Sequence, residues 1–241
     1  MKFRNKPVCR CFLILVVALS SLAHSQIERG RSKKSNEGRP VKILYYKASK
    51  GAPSEADVYV GAEKIAETKL PTHNFSATFE IPKGDINLKF GPRSLTEDQK
   101  VPADLPSVKI SESWSKVLLL VYPAEENTTM PIKVVAINAS NNVFGPGSVY
   151  MINYSDVAVF GQMGNKKIEM KPKSTFVLTK PIDGAGAYPV KLNAFVKGQK
   201  VPRKFIRQMW TINNTTRKVL FIMPRPAPHY ATYYSAPIRG F

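Results

Sequence analysis

From Val41 onward, apolar and polar residues alternate with a period of two. Phe75, Ala77, Phe79 and Ile81 alternate with Ser76, Thr78 and Glu80; beyond Pro82-Lys-Gly-Asp85, Ile86, Leu88 and Phe90 alternate with Asn87 and Lys89. This pattern predicts a hairpin with one buried and one wet face. Asp57–Val60 predicts another short strand. Val117–Tyr122 is a continuous apolar run closed by Pro123, and its length and β-branched content predict a strand covered on both faces. Three prolines make residues 91–106 a long connection. The best helical window, Ala62–Lys69, is too short to matter.

The pattern then restarts. Val41-Lys-Ile-Leu-Tyr-Tyr-Lys-Ala-Ser49 is echoed by Ile132-Lys-Val-Val-Ala-Ile-Asn-Ala-Ser140, 91 residues later. Val58-Tyr59 and Val149-Tyr150 keep the same spacing. Pro82-Lys83 and Pro172-Lys173 follow, each placed in a hairpin turn. Lys116-Val-Leu and Lys218-Val-Leu open the two long apolar runs that end at Pro123 and Pro224. Matches in the same order predict a duplication, with an insertion in the second copy between Asn193 and Asn214. The expected fold class is all-β: two tandem immunoglobulin-like sandwich units, 41–124 and 131–224, each of six or seven short strands. Glu125-Glu126 would lie in the hinge. Prolines at 224, 226 and 228 predict that the Pro/Tyr-rich tail, 225–241, is extended and unpaired.

Ala48-Ser-Lys-Gly-Ala-Pro-Ser-Glu-Ala-Asp-Val-Tyr-Val60, with the later Phe79-Glu-Ile-Pro-Lys-Gly84, carries a resemblance. It resembles the repeats of a family of secreted bacterial immunoglobulin-like (transthyretin-like) β-sandwich domains of unknown function. In these a first strand runs into Ala-Ser, then Pro, then Asp-Val-Tyr-Val. The likeness covers about 50 residues of the first copy and is fainter in the second, where Gly147-Ser-Val-Tyr150 lacks the Asp. It implies a sandwich fold and an extracytoplasmic setting, and it brings no catalytic residues.

The N-terminus agrees with that setting. Lys2, Arg4, Lys6 and Arg10 precede an apolar stretch from Phe12 to Leu22, and Ala23-His24-Ser25 offers small residues for cleavage before Gln26. Residues 1–25 are therefore expected to be a signal peptide, and the protein to be exported, periplasmic or extracellular. Residues 26–40, polar and charged with two glycines, are expected to be a disordered basic leader. Cys9 and Cys11 both precede the cleavage point, so a mature chain would have no disulfide. No later apolar run reaches membrane-spanning length.

Charge changes the picture most. The 241-residue chain has 36 Lys and Arg against 17 Asp and Glu, a formal net charge of +19. The excess is unevenly placed: residues 41–124 hold 11 cations and 10 acids, residues 131–224 hold 14 cations and 3 acids. Two groups stand out, Lys166, Lys167, Lys171 and Lys173, then Lys197, Lys200, Arg203, Lys204 and Arg207 ahead of Trp210. Cations in such density are suited to phosphate, sulfate or carboxylate. The expected partner is an envelope polyanion, an acidic polysaccharide or lipopolysaccharide, or another envelope protein. Nucleic acid would satisfy the same charges, but the export signal disfavours it. A merely soluble basic surface explains the same composition.

Catalytic chemistry has few candidates. His73 and His229 are the histidines beyond the signal segment, and neither belongs to a metal-ligand spacing. Gly184-Ala-Gly186 lacks a following helix and reads as a turn, not a phosphate cradle. Neither a Gly-x-Ser-x-Gly elbow nor a nucleophile–base pairing is present. The sequence predicts no enzyme and no cofactor. The sequons at Asn74, Asn127, Asn138, Asn153, Asn213 and Asn214 fit the composition of a turn-rich β chain and carry little weight. The other functional class open to this chain is a subunit of a surface or secretion assembly, joined by strand addition through its extended termini. An outer-membrane barrel ending at Phe241 fits less well, because Pro237 and Arg239 break the alternation before it.

Overall fold

Sixteen strands and one short helix make up the regular structure of residues 38–95, 100–196 and 198–241, the residues that the computed structural model describes. The expected signal peptide and most of the expected leader lie outside them, as does Lys197. The first copy comprises β1 (Arg39–Tyr45), β2 (Glu55–Val60), β3 (Glu63–Lys69), β4 (Phe79–Ile81), β5 (Ile86–Gly91), β6 (Ser107–Ile110), β7 (Val117–Pro123) and β8 (Ile132–Asn138). A single turn of helix, α1 (Asn141–Phe144), leads to the second: β9 (Val149–Asn153), β10 (Ala158–Met163), β11 (Lys166–Met170), β12 (Thr175–Leu178), β13 (Gly186–Phe195), β14 (Arg203–Ile212), β15 (Arg217–Pro224) and β16 (Ala231–Ile238).

Both copies are wired alike. In the first, sheets of order β4-β1-β7-β8 and β3-β2-β5-β6 face each other; in the second, the orders are β12-β9-β15-β16 and β11-β10-β13-β14. The first and seventh strands of each copy run parallel, β1 with β7 and β9 with β15, and every other pairing is antiparallel. The chain is thus all-β, with two sandwich units.

Three cores separate the four sheets. Val41, Ile43, Val58, Leu88, Phe90 and Leu119 fill the first sandwich, and Met151, Val159, Val190, Leu192, Leu220 and Ile222 the second. A third cluster, including Leu44, Leu118, Leu120, Ile137, Val219 and Phe221, lies between the copies. The sheets holding β7 and β15 are therefore covered on both faces. This is why Val117–Val121 reads as an unbroken apolar run: Val117, Leu119 and Val121 serve the sandwich, and Leu118 and Leu120 serve the seam.

Several sequence expectations give way to this topology. Ile132–Asn138 does not restart the fold; as β8 it pairs with β7 and completes the first copy. The restart is Val149–Asn153, which pairs with β15 as β1 pairs with β7. The 131–224 boundary accordingly moves, and Glu125-Glu126 sit in the β7–β8 turn rather than in a hinge. Pairing Lys116-Val-Leu with Lys218-Val-Leu is off by one residue. Burial equates Leu119 with Leu220, and a slip of one would turn every side chain to the wrong face. The expected hairpin around Pro82–Asp85 is a crossing between sheets, since β4 pairs with β1 and β5 with β2 and β6. Pro172-Lys173 likewise crosses from β11 to β12 in the other sheet. Ala62–Lys69 is largely strand β3. Arg39 and Pro40, counted with the leader, belong to β1.

The tail is also a ladder strand. Tyr233 and Tyr234 pair with Ile222 and Phe221, and Pro237 stands opposite Lys218. Pro237 is tolerated because β16 is the edge of its sheet. The expected insertion is real but orderly: β13 and β14 run ten residues each, against six and four in β5 and β6.

Candidate anion-binding face

The long β13–β14 hairpin extends the outermost sheet of the second copy. Alternation sends Tyr188, Val190, Leu192, Ile206 and Trp210 into the core, so the residues between them face outward. Trp210 is only 7% exposed and its indole N–H donates to Gln208 Oε1 at 3.1 Å, which removes it from the outer face.

Register brings the outward cations into a row. Lys167 pairs with Gln162, Gln162 with Lys191, and Lys191 with Arg207. All four are exposed, and the row crosses four strands spaced roughly 4.8 Å apart. In the next row Glu169, Phe160, Asn193 and Lys204 follow, the last displaced by a bulge at Leu192/Asn193. Like charges directly opposite one another destabilise a sheet, and Lys191 faces Arg207 with no intervening acid. The Arg207 guanidinium is held flat by donating to Leu192 O at 2.9 Å, Ile206 O at 2.5 Å and Asn193 Oδ1 at 2.6 Å.

The nine cations singled out by sequence are only partly gathered. Lys167, Lys204 and Arg207 share the outer face, and Lys171, exposed, follows β11 in the same alternation. Lys200 and Arg203 lie at the end of the hairpin, where Arg203 Nε donates to Gln199 Oε1 at 2.9 Å. Exposed Phe195 and Val201 flank them. Lys166 has the parity of core-facing Ile168 and leaves the row. Lys173 turns away altogether, donating to Tyr154 O at 2.6 Å and pairing with Asp156 at 3.1 Å. Lys197 is outside the described residues. Lys191, outside the two basic groups that stand out in the sequence, is central to the row. Its signal was the alternation Tyr188, Val190, Leu192, Ala194, which fixes Lys191 as outward.

The first copy has its own charge cluster, of a different kind. Asp57 is fully buried, with Lys64 Nζ at 3.0 Å and Arg93 Nε at 3.6 Å. Glu55 and Glu67 join Arg93 at 3.1 and 2.5 Å. Hydrogen bonds to Glu67 and then Asp57 hold the Lys64 ammonium pKa above its usual value. The Asp of the Asp57-Val-Tyr-Val60 stretch thus anchors the β2–β3 hairpin to the connection after β5. Among the described residues there is no group of three or more His, Cys, Asp or Glu placed to hold a metal ion, and no helix is long and apolar enough to cross a membrane.

No family model matches the chain, and no curated protein matches it either.

Proposed function

We propose that this is an exported, non-enzymatic binding or scaffold protein of the cell envelope, whose second copy presents the outer β11-β10-β13-β14 sheet to an anionic polymer. The observation that carries the reading is the row Lys167, Lys191 and Arg207, three cations on one open sheet face with Lys204 beside them. A sheet of this kind suits an extended ligand with charges repeating along its length, such as an acidic polysaccharide or the phosphorylated part of lipopolysaccharide. The likeness of Ala48–Val60 to secreted sandwich repeats supports the exported setting.

The test separates a built face from bulk charge. Lys167→Glu/Lys191→Glu/Arg207→Glu is compared with Lys50→Glu/Lys69→Glu/Lys109→Glu, an equal charge change at exposed positions of the first copy. On a heparin column the first variant should elute at clearly lower salt than the second. Equal elution would reduce the face to a soluble basic surface.

A further inference from the structure

The two copies meet through the same face, and equivalent residues touch. Tyr46 and Tyr154 follow β1 and β9 and donate their backbone N–H to Val121 O and Ile222 O, both at 2.8 Å. Their rings stack on each other with centroids 5.2 Å apart and planes at 22°. A residue that contacts its own counterpart marks a two-fold relation, as in an isologous dimer. The two flanks of this seam should then be alike, and they are not.

On the flank beside β1 and β4, aromatic side chains fill the seam. Tyr234 of β16 stacks on Phe221 at 5.8 Å and its hydroxyl donates to His73 O. Phe75 packs against the same cluster. On the opposite flank the counterparts are small. Val134 stands opposite Val121 as Tyr233 stands opposite Ile222, so Val135 occupies the position of Tyr234. In the first copy the Ser76 N–H donates to Ile43 O, which brings Phe75 beside Leu44; Thr175, opposite Ile152, holds that place in the second. The missing side-chain volume leaves a groove of about 400 Å³ between β8 and the β9–β12 edge.

Its chemistry is two-ended. Leu120, Val135, Ile137 and Ile152 make an apolar floor, and the hydroxyls of Tyr122 and Tyr154, hydrogen-bonded to each other, close one side. Lys133 and Lys173 stand at the lining with no carboxylate among the lining residues. Lys173 is shared with Asp156, whereas Lys133 has no ion-pair partner among the described residues. Volume and lining lie in the range of small-molecule sites, which favour interfaces between units. We propose that this groove binds a single-chain anionic amphiphile, a long-chain acyl carboxylate, with its alkyl tail on the Leu120–Ile152 floor and its head at Lys133. The site is separate from the basic outer sheet and stands whether or not that sheet binds a polymer.

The test is titration of the full chain with the fluorescent fatty acid cis-parinarate, then competition with palmitate and with hexadecanol. Saturable binding is expected, displaced by palmitate about tenfold more effectively than by the uncharged alcohol, the size of one close charge pair. Val135→Tyr/Thr175→Phe copies the filled flank into the open one and should abolish binding while leaving the urea midpoint unchanged or higher. Lys133→Glu, at an exposed position that cannot disturb the core, should weaken palmitate about tenfold and spare hexadecanol. Absence of saturable binding, binding that survives in a folded Val135→Tyr/Thr175→Phe protein, or equal displacement by acid and alcohol would overturn the proposal. So would concentration-dependent self-association with no response to parinarate, which would assign the groove to a second copy of the chain.

Discussion

Two buried arginines close the ends of the sandwiches, where the described residues include no cysteine. Arg39, 4% exposed, donates to Pro82 O at 3.0 Å, Ser111 O at 2.6 Å and Gly84 O at 2.6 Å, tying β1 to the turns at one end of the first copy. Arg217, 1% exposed, bonds Phe144 O at 2.7 Å, Asn141 Oδ1 at 2.6 Å, Phe241 O at 3.3 Å and also Ala139 O. It joins the connection between the copies to the chain terminus. Burial lowers its guanidinium pKa, yet an arginine stays protonated at any relevant pH. Replacing it removes several donors at once and orphans buried carbonyls, each costing about 1–3 kcal/mol. Arg217→Met should therefore destabilise the protein by roughly 3 kcal/mol or more, read from chemical denaturation. Neither role was legible in the sequence, where Arg39 looks like leader and Arg217 like one more cation. What decides both is the set of carbonyls that distant turns bring to them.

At the scale of elements, the strands were legible where burial wrote a pattern and illegible where pairing chose between similar patterns. The run Val117–Val121 announced a doubly covered strand because both of its faces are dry. Nothing in Ile132–Ala139 says whether it begins a sandwich or ends one, because the antiparallel partner β7 precedes it and a parallel partner would follow. The basic row was half legible: Lys167, Lys204 and Arg207 were visible as charge, but their alignment with Lys191 exists only through three strand registers. Turns offer a sharper test of the duplication. Gly61 and Gly164 occupy corresponding hairpin turns, between paired Val60 and Glu63 and between Met163 and Lys166, with φ of +62° and +58°. A Cβ at Gly61 meets open space, whereas one at Gly164 collides with Pro181 O. Gly61→Ala should cost about 1 kcal/mol, the left-handed backbone alone. Gly164→Ala should cost about 3 kcal/mol, with the clash added. Urea unfolding of the two variants measures the difference.

For the whole molecule, the seam between copies is a core in its own right. Leu44, Leu118, Leu120, Ile137, Val219 and Phe221 would each lose roughly 1.5–3 kcal/mol of burial if the copies parted. The protein should unfold in one transition, with tryptophan fluorescence from Trp114 in the first copy and Trp210 in the second reporting the same midpoint. Two phases, each seen by one tryptophan variant, would show that the seam does not couple them. Alkaline pH should weaken the whole assembly. Burial pushes the Tyr188 phenol up to about 12, and burial likewise raises Tyr45, Tyr46 and Tyr154. A raised phenol pKa means that the folded state holds its proton where the unfolded chain releases it. Stability is then complete below about pH 10 and falls above it, by about 1.4 kcal/mol per pH unit for each such tyrosine until its folded pKa is passed. Phenolate absorbance from these four tyrosines should rise only together with loss of structure, read as coincident absorbance and circular-dichroism transitions.

The stacked pair Tyr46 and Tyr154 has one more consequence. In an assembly of two identical chains, every substitution at such a contact appears twice, so a cleft opened on one flank opens on the other and doubles its cost. Joining the copies in one polypeptide removes that constraint. Position 234 can hold a tyrosine that closes one flank while position 135 holds a valine that leaves the other open. Linkage of this kind lets half of a symmetric contact keep the fold and frees the other half to acquire a task.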